Sequence, residues 1–228
     1  MQAKMIAGHE LTPGKTVKDH IHVEGTELHV PHVLLCGEQP GPTVLITAGI
    51  HNAEYVGIQA AIELSNELDV SMLCGNVILV PLVNRSGFEN RTMSRVFEDG
   101  KNLNRVFPGD REGSEAERLA HMLFEVFIRN ADAYIDLHCG EMFESLTLYI
   151  YYAASGDERE QRIAREMALC ADLPYTVASK AKGGAYNYAG AMNIPAVLLE
   201  RGCQGRRSAE EVQADPDHVR RILRYLGV

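Results

Sequence analysis

Gly41-Pro42-Thr43-Val44-Leu45-Ile46-Thr47-Ala48, running straight into Gly49-Ile50-His51-Asn52-Ala53-Glu54, decides the fold class. Gly-Pro punctuation before a short apolar, β-branched run predicts a strand buried on both faces, as in a parallel sheet. From Glu54 to Leu68 the pattern turns helical, with Ile58, Ala61, Ile62 and Ser65 on one face. The same alternation continues along the chain. Asn76 to Val83, Ala133 to His138, Leu146 to Tyr151 and Ala196 to Leu199 read as strands. Ser114-Glu115-Ala116-Glu117 is a capping box ahead of Leu119, Leu123, Val126 and Phe127 at helical spacing. A helix from Asp157 to Ala171 turns Ile163, Met167 and Cys170 inward, and a closing helix carries Val219, Ile222, Leu223 and Leu226. Strand–helix alternation predicts an α/β fold: three layers, α/β/α, with a largely parallel, mixed central sheet. Ligands of such sheets gather at the carboxyl ends of the strands.

The 228 residues carry neither an internal repeat nor a Pro/Gly/Ser-rich linker, so one domain over 1–228 is expected. Apolar residues make up 46% and charged residues 23%, which excludes a disordered chain. Lys and Arg number 22 against 31 Asp and Glu, a formal net charge of −9. Without basic blocks, that balance offers no footprint for nucleic acid and little attraction to anionic membranes. No apolar run approaches the roughly 20 residues of a membrane span. The start, Met1-Gln2-Ala3-Lys4-Met5, leads to His9, Glu10 and Pro13 and does not read as a signal peptide. Five cysteines (Cys36, Cys74, Cys139, Cys170, Cys203) without a CxxC pair read as reduced thiols, and the expected location is the cytoplasm.

The strand ends hold the chemistry. His51 and Glu54, three apart at a helix start, project to one side and can ligate one zinc ion together. An isolated pair of this spacing is more often a loop histidine beside a glutamate that favours the helix dipole. Tyr134-Ile135-Asp136-Leu137-His138 places a second histidine at another strand exit, with Asp136 on the same strand face as a partner for one of the imidazoles. Two histidines and one carboxylate leave a fourth position for water, the pattern of a catalytic zinc site. The polar stretch Asp99-Gly100-Lys101-Asn102-Leu103-Asn104-Arg105-Val106-Phe107-Pro108-Gly109 holds an Asn-Arg pair suited to a carboxylate, or a solvated loop arginine. Glu200 closes the strand Ala196–Leu199, where burial moves a carboxyl pKa toward that of a general base. The alternative is a rim carboxylate paired with Arg201.

Gly49-x-His51-x-x-Glu54, the segment 99–109, Asp136-Leu137-His138 and Glu200-x-Gly202, in that order, resemble the zinc carboxypeptidase superfamily. Within it they look most like the succinylglutamate desuccinylase and aspartoacylase branch. The resemblance spans roughly residues 28 to 205. It implies His51, Glu54 and His138 as ligands of one zinc ion, Asn104 and Arg105 as holders of a substrate carboxylate, and Glu200 as general acid/base. An arginine ahead of the Asn-Arg pair is expected to polarise the scissile carbonyl; Arg95 matches best, with Arg91 second. The family usually has Gly where this chain has Asn52. Many members also carry a C-terminal β-rich domain, and the chain stops at Val228 without one.

The implied activity is zinc-dependent hydrolysis of an amide bond next to a free carboxylate, as in deacylation of an N-acyl amino acid. The alternative is a metallocarboxypeptidase or cell-wall-peptide amidase acting on short peptides. A small-molecule substrate is the expected partner, with no nucleic acid or membrane and an oligomer left open. Tyr186 and Tyr188 line the site or are ordinary loop aromatics. His20, His22, His29 and His32 read as one polar strand face, and Cys139 as a packed thiol turned away from His138.

Overall fold

The computed structural model describes residues 4–228; residues 1–3, part of the stretch read as no signal peptide, lie outside the described residues. A small antiparallel pair, β1 (Met5–Ile6) and β2 (His9–Glu10), precedes the main sheet. There follow β3 (Thr16–His22), β4 (His29–Cys36), β5 (Gln39–Ala48), α1 (Tyr55–Glu67), β6 (Cys74–Val80), α2 (Arg85–Asn90) and α3 (Glu115–Met122). The second half holds β7 (Ala133–His138), β8 (Tyr149–Ala153), α4 (Glu158–Cys170), β9 (Thr176–Ser179), α5 (Ala185–Ala191), β10 (Ala196–Glu200) and α6 (Ala209–Leu226).

The eight-stranded sheet runs β3-β4-β6-β5-β7-β10-β8-β9. Its inner strands β6, β5, β7 and β10 are parallel, while β3, β4 and β8 run antiparallel to their inner neighbours. The two-residue period of β5 splits the core. Val44, Ile46 and Ala48 face α1, α4 and α6, and Leu45 faces the layer of α3 and α5. Both sheet faces are covered, which is why these strands read as continuous apolar runs. The three-layer α/β/α architecture and its mixed sheet are as expected.

Local details differ. The run ending at Val83 leaves the sheet at Val80, and the strand placed at Leu146 begins at Tyr149. On α1, Leu64 takes the inward place given to Ile62, which is 39% exposed; α1 packs on both the sheet and α6, and that wedge selects a different stripe. The helix behind the capping box passes into a π-helical turn at Leu123–Phe127. The four N-terminal histidines belong to two antiparallel strands, His22 opposite His29. His32 is 2% exposed and packs on Phe127 at 5.5 Å between ring centroids, so it belongs to the core and not to a polar face. All five cysteines are free. Among the described residues, no helix is long and apolar enough to cross a membrane.

From β5 the chain passes to β6 on one side, and later to β7 on the other. That reversal opens a crevice at the carboxyl ends of β5, β7 and β10.

Candidate active site

Three neighbouring strand ends build the centre. His51 follows the end of β5 by three residues, His138 closes β7, and Glu200 closes β10 in register with His138. Gly49 has φ +67°, and a Cβ there would lie 2.8 Å from Leu82 Cδ1, so this sharp exit from β5 requires glycine. Glu54 is buried at the N-cap of α1.

Both imidazoles turn Nδ1 toward Glu54. His51 Nδ1 lies 2.9 Å from Glu54 Oε1 and His138 Nδ1 lies 2.8 Å from Oε2, with the rings edge-on at 5.1 Å. One ligand atom from each of His51, Glu54 and His138 lies within 4.8 Å of the others, an arrangement that could hold a metal ion. On the far side of each ring an acceptor waits. His51 Nε2 is 3.1 Å from Asn102 Oδ1, an oxygen already marked as acceptor by the Asn104 N–H at 2.9 Å. His138 Nε2 is 3.1 Å from Asp136 Oδ2, and Asp136 Oδ1 accepts from Thr47 Oγ1 at 2.6 Å. A His51 imidazole that donates through Nε2 to Asn102 presents a lone pair at Nδ1, here facing the Glu54 carboxylate. Glu54 Oε2, His138 Nε2 and Asp136 Oδ2 are buried in short charged contacts without aligned hydrogen bonds. Two imidazole nitrogens and a carboxylate oxygen converging on one buried point are a donor set that a metal ion fits.

Electrostatics set the protonation of this cluster. Burial opposes ionisation of Glu54, but His138 and His51 overcome it and hold the carboxyl below its usual range. Burial likewise opposes charge on His138, yet Glu54 and Asp136 raise its pKa well above the ordinary value. Glu200 is pushed up to about 8, first by burial and then by the nearby Glu54 charge. Burial also raises Glu141, whose Oε1 lies 3.3 Å from His51 Nδ1.

These groups open into a cavity of about 560 Å³. Asn104 and Arg105 line it from the segment between α2 and α3. Asn104 is buried with its Oδ1 accepting from Ala185 N–H at 2.9 Å, and Arg105 is exposed with Nη1 donating to Asn104 C=O at 2.8 Å. Gly183, at φ +85°, lets the approach to α5 pass Arg105, since a Cβ there would sit 2.7 Å from Arg105 C=O.

The structure does not bring Arg95 to the cavity. It is exposed and its Nη1 donates to Gly100 C=O at 2.7 Å; Arg91, at the C-cap of α2, is also exposed and absent from the lining. The backbone of Arg95 is the anchored part: its carbonyl accepts from Asn52 Nδ2 at 3.2 Å, Asn84 Nδ2 at 3.0 Å and the Thr92 hydroxyl. Asn52 therefore ties this loop down from the position where the family usually has glycine. Tyr186 lines the cavity, whereas Tyr188 packs on Phe124 at 5.0 Å. Cys139 is buried, and burial raises its thiol pKa.

Asn102, Glu141, Glu144, Tyr149 and Tyr151, which the motifs place in neither the ligand set nor the carboxylate clamp, also line the cavity. The tyrosines were legible in principle, because residues two apart at a strand start share a face. The glutamates lie in a loop, where no periodicity points them anywhere.

Known proteins share this fold. The chain is 37% identical over 138 residues to the N-alpha-acetyl-L-2,4-diaminobutyric acid deacetylase of Halomonas elongata, covering 60% of this chain and 40% of that protein. A succinylglutamate desuccinylase/aspartoacylase structure from Rhodobacter sphaeroides superposes with a TM-score of 0.81 at 27% identity, covering 88% of this chain and 60% of that one. The product-bound ectoine utilization protein EutE (DoeB) from Ruegeria pomeroyi shares the fold, with a TM-score of 0.85 at 24% identity over 95% of this chain and 69% of that one. The chain thus spans 40% and 60% of the first two proteins, less than two thirds of each. Residues 40–226 match the family model described as the succinylglutamate desuccinylase/aspartoacylase catalytic domain, and the chain belongs to that family.

Proposed function

We propose that this chain is a zinc-dependent amidohydrolase that removes the acyl group from an N-acyl amino acid. The observation that carries the reading is one cavity joining the His51–Glu54–His138 cluster, the raised carboxyl of Glu200 and the Asn104–Arg105 pair. His51, Glu54 and His138 would hold the zinc, which supplies Lewis acidity for water and the acyl carbonyl when bound. Asp136 and Asn102 steady the imidazoles from behind. Arg105 and the amide of Asn104 hold the substrate carboxylate and so decide which amide bond reaches the centre, an orientation effect on the barrier. Glu200, ionised, takes the proton of the attacking water and returns it to the departing amine.

The Halomonas relative is named for an N-acetylated diamino acid. Glu141 and Glu144 on the loop after β7 suit the spare ammonium of such a substrate, while Arg105 takes its carboxylate. The test is a panel of N-acetyl diamino acids, neutral N-acyl amino acids and peptides with free C-termini, assayed with zinc and with chelator. Turnover of the N-acyl amino acids that chelator abolishes and zinc restores supports the reading. Turnover confined to peptides replaces it with a carboxypeptidase.

A further inference from the structure

Behind Glu200, on the face of the sheet away from the cavity, lies a cluster of charged side chains that the chemistry above does not use. Glu200 and Leu198 line the cavity, so strand alternation sends Arg201 to the opposite side, toward α6. There its side chain is only 13% exposed. Glu211 and His218 meet it, and their spacing with Asp215, four and three, puts all three on one face of α6. Arg201 Nε lies 2.8 Å from Glu211 Oε2, and Nη1 lies 2.9 Å from His218 Nε2. The second contact has a defined sense. His218 Nδ1 sits 2.6 Å from Ala171 C=O, which can only accept, so Nδ1 carries the proton and Nε2 accepts from Arg201. Asp215 is fully buried with neither oxygen hydrogen-bonded, and the positive charge acting on it is that of Arg201.

The backbone of the same residue is stitched to the other half of the centre. Arg201 N–H donates to His138 C=O at 3.1 Å, and Gly202 C=O accepts from Gly140 N–H at 3.0 Å. Gly202 turns the chain at φ +92° directly after it. A guanidinium gripped by α6 thus holds the short segment that sets where Glu200 stands relative to His138.

We propose that Arg201 is a positioning residue, and that α6 holds it through Glu211 and His218 so that Glu200 is kept in place for proton transfer. The proposal rests on Glu200 being the base, and the experiment separates the two. In full-length, zinc-loaded protein, kcat, KM, zinc content and melting temperature are measured for Arg201→Ala, Glu200→Gln and the double variant. Removing Arg201 is expected to lower kcat about 10- to 100-fold, the range of misplaced catalytic groups, with KM within about twofold and zinc retained. In the Glu200→Gln background, the same removal should cost less than about threefold in kcat, because the group being positioned is already gone. Losses that multiply in the double variant would assign Arg201 a general structural role and overturn the proposal. A Glu200→Gln variant with parental kcat would overturn the base assignment, and the proposal with it. Removal of Arg201 strands the Glu211 carboxylate, so the cycle is repeated with Arg201→Lys and His218→Gln, which keep more of the cluster and are read by the same criterion.

Discussion

The two halves of the cavity are built differently. His51, Glu54, His138 and Glu200 sit at or just beyond three adjacent strand ends, and Glu54 and His138 are buried. Asn104, Arg105 and Lys182 come from loops, and the last two are exposed. Strand register determines distances in the first half to a fraction of an ångström, which proton transfer and metal ligation demand. The second half needs only charge of the right sign within reach, and its side chains keep their freedom. In this fold the rigid half suits chemistry and the loop half suits selection of the substrate.

If that division holds, substitutions should grade by half. His138→Ala should have the largest effect, because a three-ligand site with one ligand removed loses its metal. Bound zinc measured by elemental analysis should fall to a small fraction, and kcat/KM should drop more than about 1000-fold, as loss of several kcal/mol of Lewis-acid stabilisation requires. Full zinc retention would break the ligand assignment. Glu200→Gln should keep its zinc and lose roughly 100- to 10,000-fold in kcat with little change in KM.

The helix behind the rigid half supplies a stability effect of a few kcal/mol. Asp215 is pushed up to about 7 by burial, against the pull of Arg201. The folded state therefore binds a proton that the unfolded chain releases near pH 4, so stability is full below that value and declines as pH rises toward about 7. Asp215→Asn should flatten this decline in denaturant titrations between pH 4 and 8. An unchanged slope would mean that Asp215 ionises normally in the folded state.

Smaller effects belong to the loops. Arg105→Lys retains the charge but not the fork, and should raise KM about 10-fold for substrates with a free carboxylate while leaving their methyl esters nearly unchanged. Equal losses on both would give Arg105 a structural role. Arg95→Ala is expected to change kcat less than about threefold, since its guanidinium binds Gly100 outside the cavity. A loss of 100-fold or more, the usual cost of a missing oxyanion donor, would show that the loop brings Arg95 inward during turnover.

The sequence by itself determined the layered α/β fold, because buried parallel strands and amphipathic helices leave different apolar periods along the chain. It also determined the triad at the strand ends: His51, Glu54 and His138 lie in short motifs whose geometry follows from local structure, a strand exit and a helix start. Tertiary structure alone decided the rest. That Asn102 serves His51 depends on how the segment between α2 and α3 approaches the ring, whereas Asp136 meets His138 within β7 itself. Packing of α1 against α6 as well as the sheet decided that Leu64, and not Ile62, faces inward. Arg95 and Arg105 lie ten residues apart in one loop, yet only Arg105 reaches the cavity, because Asn52, Asn84 and Thr92 fasten the Arg95 carbonyl. Side-chain direction in an irregular loop is set by long-range contacts such as these, and no period in the sequence encodes it.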